Sequence, residues 1–148
     1  MQQMGALNAA AAEAMRAVGV HACTDVTGYG LLGHGHEMAA GAGVDLRFSA
    51  AALPLLSGAH ELMRKGFASG GAARTKAHLG ARLVVADGVD PVVADIAADS
   101  ETSGGLLLAV APDRAGQLED ALRERGLPAG CVGEVTAAEG ESRVHLLP

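Results

Sequence analysis

Aromatic residues are almost missing from this chain: Tyr29, Phe48 and Phe67 are the whole set, with no tryptophan in 148 residues. Stacking platforms for nucleic-acid bases are therefore scarce. The formal net charge of −6 also denies the chain a basic face with which to displace counterions from a phosphate backbone. Nucleic-acid binding is disfavoured on both grounds. Cysteine is equally scarce. Cys23 and Cys131 stand alone, and a lone pair at this spacing supports neither a disulfide framework nor a thiolate zinc site. No apolar run approaches the roughly 20 residues of a membrane-spanning helix. The start, Met1-Gln2-Gln3-Met4, lacks the basic-then-apolar order of a secretory leader. The expectation is a soluble, cytoplasmic protein with no membrane partner.

What is present is small and apolar. A content of 49% hydrophobic and 19% charged residues is that of a folded domain. A chain of this length buries about 70% of its unfolded surface as one domain. Alanine and 21 glycines dominate, so elements can pack with their backbones close together.

Periodicity sets out the elements. Leu7, Ala10, Ala11, Ala14, Met15 and Val18 recur at helical spacing, with Gly19 as a stop. Residues 20–24 read as a short strand. Leu31, Gly35, Met38 and Ala39 share one face of a helix ending near Gly41 or Gly43, and 44–48 alternates as a strand. Ser57 is placed to cap a helix running to Lys65, with Leu62 and Met63 inward. The polar, glycine-rich stretch 67–79 reads mostly as loop. A strand over 81–85 and a helix opened by Pro91 and running to Ala98 follow. The apolar run Gly105-Leu106-Leu107-Leu108-Ala109-Val110 has the form of a strand covered on both faces. Pro112 and Asp113 start a helix that turns Ala115, Leu118, Ala121 and Leu122 inward and stops at Gly126. Residues 131–135 and 144–147 close the pattern as strands. The fold class expected is α/β, or a layered α+β arrangement, in a single domain.

Two segments carry the chemistry. The first is Cys23-Thr24-Asp25-Val26-Thr27-Gly28-Tyr29-Gly30-Leu31-Leu32-Gly33-His34, between a strand and a helix. Gly28-x-Gly30-x-x-Gly33 formally matches a dinucleotide fingerprint, but among 21 glycines chance matches are common. That fingerprint also needs an acid at the end of the next strand, and Asp45 sits near its start. Asp25 admits two readings. A carboxylate ending a strand before a glycine turn can hold Mg²⁺ that also binds phosphate oxygens, with Thr24 and Thr27 bonding phosphate or orienting the carboxylate. It can equally cap the helix that follows. Gly33 and Gly35 each cost about 1 kcal/mol inside a helix, which close packing would offset. The second segment, Asp99-Ser100-Glu101-Thr102-Ser103-Gly104-Gly105, is either an anion-binding loop or a tight turn capped by Asp99.

Other polar residues invite blander readings. His34 and His36 lie about 200° apart on a helix, so they do not share a metal with Glu37 or Cys23 and are read as surface or packing residues. Cys23 has no Lys or Arg beside it to lower its pKa, and reads as a buried strand thiol. Arg74, Lys76 and His78 read as a solvated basic loop.

The first segment closely resembles the T-D-V-T-G-F-G-L-x-G-H signature that opens the C-terminal domain of selenophosphate synthetases (selenide, water dikinases). Tyr29 replaces the commoner Phe and keeps the ring. Leu7-Asn8 upstream and Glu37-Met38 downstream agree. Thr102-Ser103-Gly104-Gly105-Leu106-Leu107 is similar to the family's later T-S-G-G-L-L motif, and Asp99 stands where D-P-Q-T-S-G-G begins, with Ser100 and Glu101 in place of Pro-Gln. Gly70-Gly71 with Arg74 is similar to the intermediate loop. The match spans nearly the whole chain in order. Wider relatives of the fold include aminoimidazole ribonucleotide synthetase, thiamine-monophosphate kinase and a hydrogenase maturation factor.

The resemblance implies a layered α/β domain like the C-terminal domain of aminoimidazole ribonucleotide synthetase, a mixed sheet packed with helices. It implies a reaction of ATP, selenide and water to selenophosphate, AMP and phosphate with Mg²⁺. Asp25 would contribute a metal-binding carboxylate. Thr24, Thr27, Gly28, Gly30, Thr102, Ser103, Gly104 and Gly105 would line the ATP phosphate cleft. The family's reactive Cys or selenocysteine, its partner Lys, its glycine-rich ATP-binding segment and most of its metal-binding aspartates belong to an N-terminal half that this sequence lacks. No residue here is expected to be the catalytic nucleophile. The expected partner is that N-terminal ATP-binding domain, with the full-length protein a homodimer and the lone domain inactive. The rivals are a non-catalytic nucleotide-binding or interaction domain, and another member of the wider fold group such as thiamine-monophosphate kinase.

Overall fold

The computed structural model describes residues 7–148, and their strands divide into two separate sheets. The larger is a mixed sheet of β2 (Val44–Ser49), β3 (Leu83–Val85), β5 (Gly133–Ala137) and β6 (Val144–Leu147), in the order β3-β6-β2-β5. β6 runs parallel to both β2 and β3, while β5 is antiparallel to β2. The smaller is an antiparallel pair of β1 (Ala22–Asp25) and β4 (Leu106–Ala109), with Cys23 opposite Leu108 and Asp25 opposite Leu106.

Alternation decides which face of the larger sheet is covered. Leu46 and Phe48 of β2 and Val144 and Leu146 of β6 are buried, whereas their neighbours Asp45, Arg47 and His145 face the other way. That outer face is polar: Asp45 accepts from the Arg143 N–H at 2.8 Å and pairs with His145 at 3.2 Å. Asp45 is thereby committed to the far side of a sheet that does not include β1. A dinucleotide fold needs those two strands side by side, so the Gly28-x-Gly30-x-x-Gly33 fingerprint is incidental.

Helix α2 (Gly30–Ala42) lies over the covered face and packs on both sheets. Its glycines explain how it gets so close. A Cβ on Gly35 would sit 2.9 Å from the ring of Phe48, and one on Gly33 would sit 2.5 Å from Tyr29 Cβ and 3.2 Å from Thr75 Cγ2. Close packing is thus the offset for glycine's helical cost, as expected. α4 (Gly71–Leu79) and α5 (Pro91–Ala98) flank α2, and α3 (Ala59–Arg64) packs on α5. The core joins Leu32 and Ala39 of α2 to Ala72, Leu79, Ala94, Ala97 and Ala98, and extends to Val26 and Leu107 beside the small sheet. α1 (Ala9–Val18) packs against α6 (Ala115–Arg123), and Arg114 Nη1 donates to the Val18 carbonyl at 3.1 Å. Ala14 and Val18 of α1 and Leu118 of α6 are the buried members of the stripes read from the sequence.

Several expectations need correction. Residues 71–79 are helix, not loop, and Arg74, Lys76 and His78 sit on it; Lys76 pairs with Asp95 of α5. α3 starts after Gly58, without a cap from Ser57, and Leu62 is exposed rather than inward. Leu7 precedes α1 and is exposed. β4 pairs only with β1 among the described residues, and Leu107 alone is buried on it, so the run is not covered on both faces. Continuous apolarity marked a strand correctly but overstated its cover.

Candidate functional site

The two glycine-containing segments meet. The β1–β4 ladder continues into the loops beyond it: the Val26 N–H donates to the Gly105 carbonyl at 3.0 Å, and the Gly104 N–H returns a bond to the Val26 carbonyl at 3.2 Å. The Glu101 N–H donates to the Thr27 carbonyl at 2.9 Å, and Ser100 Oγ to the Gly28 carbonyl at 2.7 Å. Residues 26–28 and 100–105 are therefore one zippered unit at the end of the small sheet.

Glycine permits this closeness. A Cβ on Gly104 would lie 2.5 Å from the Val26 carbonyl oxygen. One on Gly30 would lie 2.4 Å from the Asp99 carbonyl, and Gly30 also has a φ of 61°. Gly30 and Gly104 thus build the frame of the unit. Gly28 has open space around its Cβ position, and Gly105 takes a φ of 91° that glycine alone adopts easily. Among the described residues Ser103, at φ 58°, is the non-glycine residue in the left-handed region, a placement that costs on the order of 1 kcal/mol.

Asp25 is exposed at the end of β1. No side chain among the described residues bonds its carboxylate; Thr24 Oγ1 donates to its carbonyl at 3.2 Å instead. Nor does it cap α2, whose N-cap is Tyr29 with no side-chain bond. Its role as a helix cap is thereby excluded, and its carboxylate remains available. The exposed Thr102 and Ser103 N–H groups also lack a backbone acceptor among the described residues. Together with the uncapped start of α2, they can serve an anion.

Asp99 is fully occupied elsewhere. Its Oδ1 accepts from Ser69 Oγ, from the Ala72 N–H at 3.1 Å and from the Ser100 N–H at 2.9 Å, while Oδ2 accepts from the Ser69 N–H. Ser69 Oγ in turn accepts from the Gly71 N–H at 2.9 Å. Asp99 thus caps α4, from a distant point in the chain. Burial opposes its ionisation, but the bonds from Ser69, Ser100 and Ala72 outweigh that and hold the carboxyl below its usual range. Glu101 behaves oppositely: burial, then the charge of Asp99, pushes its pKa up. Cys23 is exposed, correcting the expectation of a buried thiol. Partial burial and then the charge of Asp25 raise its pKa, so the thiol is held protonated and is no activated nucleophile.

His34, expected as a surface or packing residue, packs edge-on against the Tyr29 ring at 5.7 Å between centroids and is also hydrogen-bonded on both ring nitrogens. Its Nε2 lies 3.0 Å from Thr27 Oγ1 and its Nδ1 3.0 Å from Glu37 Oε2. His36 is a packing residue, buried with Nε2 unpartnered among the described residues.

The family model for the C-terminal domain of AIR synthase related proteins matches residues 2–145. The chain belongs to that family. It is 46% identical over 129 residues to a selenide, water dikinase of Nitratidesulfovibrio vulgaris, covering 87% of this chain and 37% of that protein. It is 42% identical over 125 residues to a selenide, water dikinase of Caldanaerobacter subterraneus, covering 84% and 36%. The chain thus spans just over a third of the length of these relatives. The fold is also that of thiamine-monophosphate kinase from Stenotrophomonas maltophilia, with a TM-score of 0.58 at 24% identity over 89% of this chain and 32% of that one.

In this family member the two motifs read from the sequence form one unit, with Gly30 and Gly104 in its frame, and Asp25, Gly28, Thr102 and Ser103 are each exposed. Reasoning from sequence missed the Ser69–Asp99 cap and the Thr27–His34–Glu37 chain. The i, i+3 spacing of His34 and Glu37 was the available signal for the second. Among the described residues no helix is long and apolar enough to cross a membrane, and no three His, Cys, Asp or Glu side chains group to hold a metal.

Proposed function

We propose that this chain is the C-terminal domain of a selenophosphate synthetase, forming one wall of the cleft in which ATP phosphates and Mg²⁺ are held. The observation that carries this is the unengaged Asp25 carboxylate at the edge of two loops locked together by their backbones. A rigid frame with one free carboxylate suits a hard cation, which takes oxygen ligands and keeps several for phosphate and water. Asp25 supplies one ligand, and the remainder come from the N-terminal ATP-binding domain and the nucleotide. A bound Mg²⁺ supplies charge neutralisation for the phosphates.

Electrostatics support a cation there. Asp25, Asp99 and Glu101 all lie in or beside the zippered unit, and a bare polyphosphate next to them would be repelled. The N–H groups of Thr102 and Ser103 then meet phosphate oxygens, and Gly28 leaves room for their approach. Thr24 and Thr27 lie on the same unit, with Thr24 directed at the Asp25 carbonyl and Thr27 at His34.

The N-terminal domain needs a surface to dock on. Leu55, Leu56, Leu62 and Phe67 are all exposed within one stretch that includes α3, which has no buried residue. This apolar stretch is the proposed seat of that domain, and full-length copies would pair as homodimers. The protein alone is expected to make no selenophosphate. Selenide-dependent AMP formation by the purified chain would contradict this, and activity should appear when an N-terminal domain is supplied.

A further inference from the structure

Thr27, His34 and Glu37 form a hydroxyl–imidazole–carboxylate chain that the metal and phosphate readings leave unexplained. The chain has a direction. The Tyr29 N–H points at His34 Nε2 at 3.4 Å, and a backbone N–H only donates, so Nε2 carries the lone pair. Nδ1 then carries the hydrogen, and the Glu37 carboxylate, an acceptor, stands 3.0 Å from it. Two independent neighbours fix the same tautomer. Thr27 Oγ1, at 3.0 Å from the same Nε2, has only its own hydrogen to offer. His34 is mostly shielded, with 12% of its side chain exposed, whereas Glu37 sits outside at 61%.

We propose that His34, oriented by Glu37, is a positioning residue that captures the Thr27 hydroxyl hydrogen and so makes Thr27 Oγ1 an acceptor only. A hydroxyl free to rotate can donate to phosphate; this one cannot. Its remaining lone pairs suit a divalent cation or a water bound to one, which moves Thr27 from the phosphate side of the cleft to the cation side. The choice of cation rests on the function proposed above. The tautomer and the capture of the hydrogen do not.

The test uses the protein labelled with ¹⁵N histidine, in mildly alkaline buffer. Long-range proton–nitrogen correlation, assigned with His34→Gln, should show His34 protonated at Nδ1 and bare at Nε2. Thr27→Val, nearly isosteric, should shift the Nε2 resonance while keeping the tautomer, and Thr27→Ser should restore it. Glu37→Leu should let the Nε2–H form appear. A dominant Nε2–H form in the wild type, or an Nε2 resonance indifferent to Thr27→Val, overturns the proposal. For the cation, Mn²⁺ alone is the probe. It should broaden the resonances of Asp25 and Thr27, with affinity lowered severalfold in both Thr27→Val and His34→Leu. No broadening, or broadening unchanged in both variants, overturns the cation role. An inactive fusion to an N-terminal domain would count against the proposed function and leave the tautomer result standing.

Discussion

At the scale of single residues, two neighbouring carboxyls make opposite predictions. Asp99 has a lowered pKa in the folded state, held down against burial by its bonds from Ser69, Ser100 and Ala72. Its contribution is therefore fully present above the unfolded aspartate value of about 3.9 and is lost as pH falls through the folded one. Asp99→Ala should destabilise by about 1 kcal/mol at neutral pH, as loss of a helix cap does, and by less in acid. Urea denaturation at two pH values measures this; an equal loss at both would contradict the account. Glu101 has a raised pKa from burial and from Asp99. Its charge opposes folding once pH exceeds the unfolded glutamate value, so Glu101→Gln should raise the Tm at neutral pH and change it little in acid. A lowered Tm at neutral pH would show that the carboxylate is stabilised by something other than its neighbours here. The sequence left Asp25 open between a ligand and a helix cap, and the structure removes the cap, since Tyr29 precedes α2 with no side-chain bond. The Thr27–His34 bond was less legible, since it depends on the ring turning back towards the start of α2.

At the scale of elements, the strands and the long helices were readable from period, but α4 was not. It is led in by Ser69-Gly70-Gly71, which locally reads as a loop, and its cap comes from Asp99 across space. Propensity is a local quantity, and here a tertiary bond overrides it. The pairing of β1 with β4 was similarly invisible, because an apolar run says that a strand is covered without saying by what. Once formed, that pairing explains Gly104, whose Cβ position faces the Val26 carbonyl. Gly104→Ala would drive a methyl to 2.5 Å from the Val26 carbonyl, and should cost about 2 kcal/mol or more as the zipper shifts. Gly35→Ala meets the Phe48 ring at 2.9 Å, which can give slightly, and should cost about 1 kcal/mol through overpacking, net of alanine's better helix propensity. Thermal or chemical denaturation of both variants ranks them. Gly35→Ala falling below Gly104→Ala would mean that the loop relaxes more readily than the core.

At the scale of the whole molecule, the chain is a layered domain carrying a finished loop unit and an uncovered apolar stretch, and it spans 37% of the length of one relative. On the function proposed above, completing the site depends on another domain. Phe67→Ser and Leu62→Ser, at positions 70% and 51% exposed, should leave the stability of the isolated chain nearly unchanged and weaken its association with an N-terminal domain, read by sedimentation. Unchanged association would place the docking surface elsewhere. The central claim is that Asp25 completes a metal–phosphate site once that domain is present. It is tested most directly by fusing this chain to the N-terminal portion of the Nitratidesulfovibrio vulgaris selenide, water dikinase and following selenophosphate by ³¹P NMR. The account predicts product from the fusion and none from the fusion carrying Asp25→Asn, at equal folding; product formed at the same rate by both would contradict it.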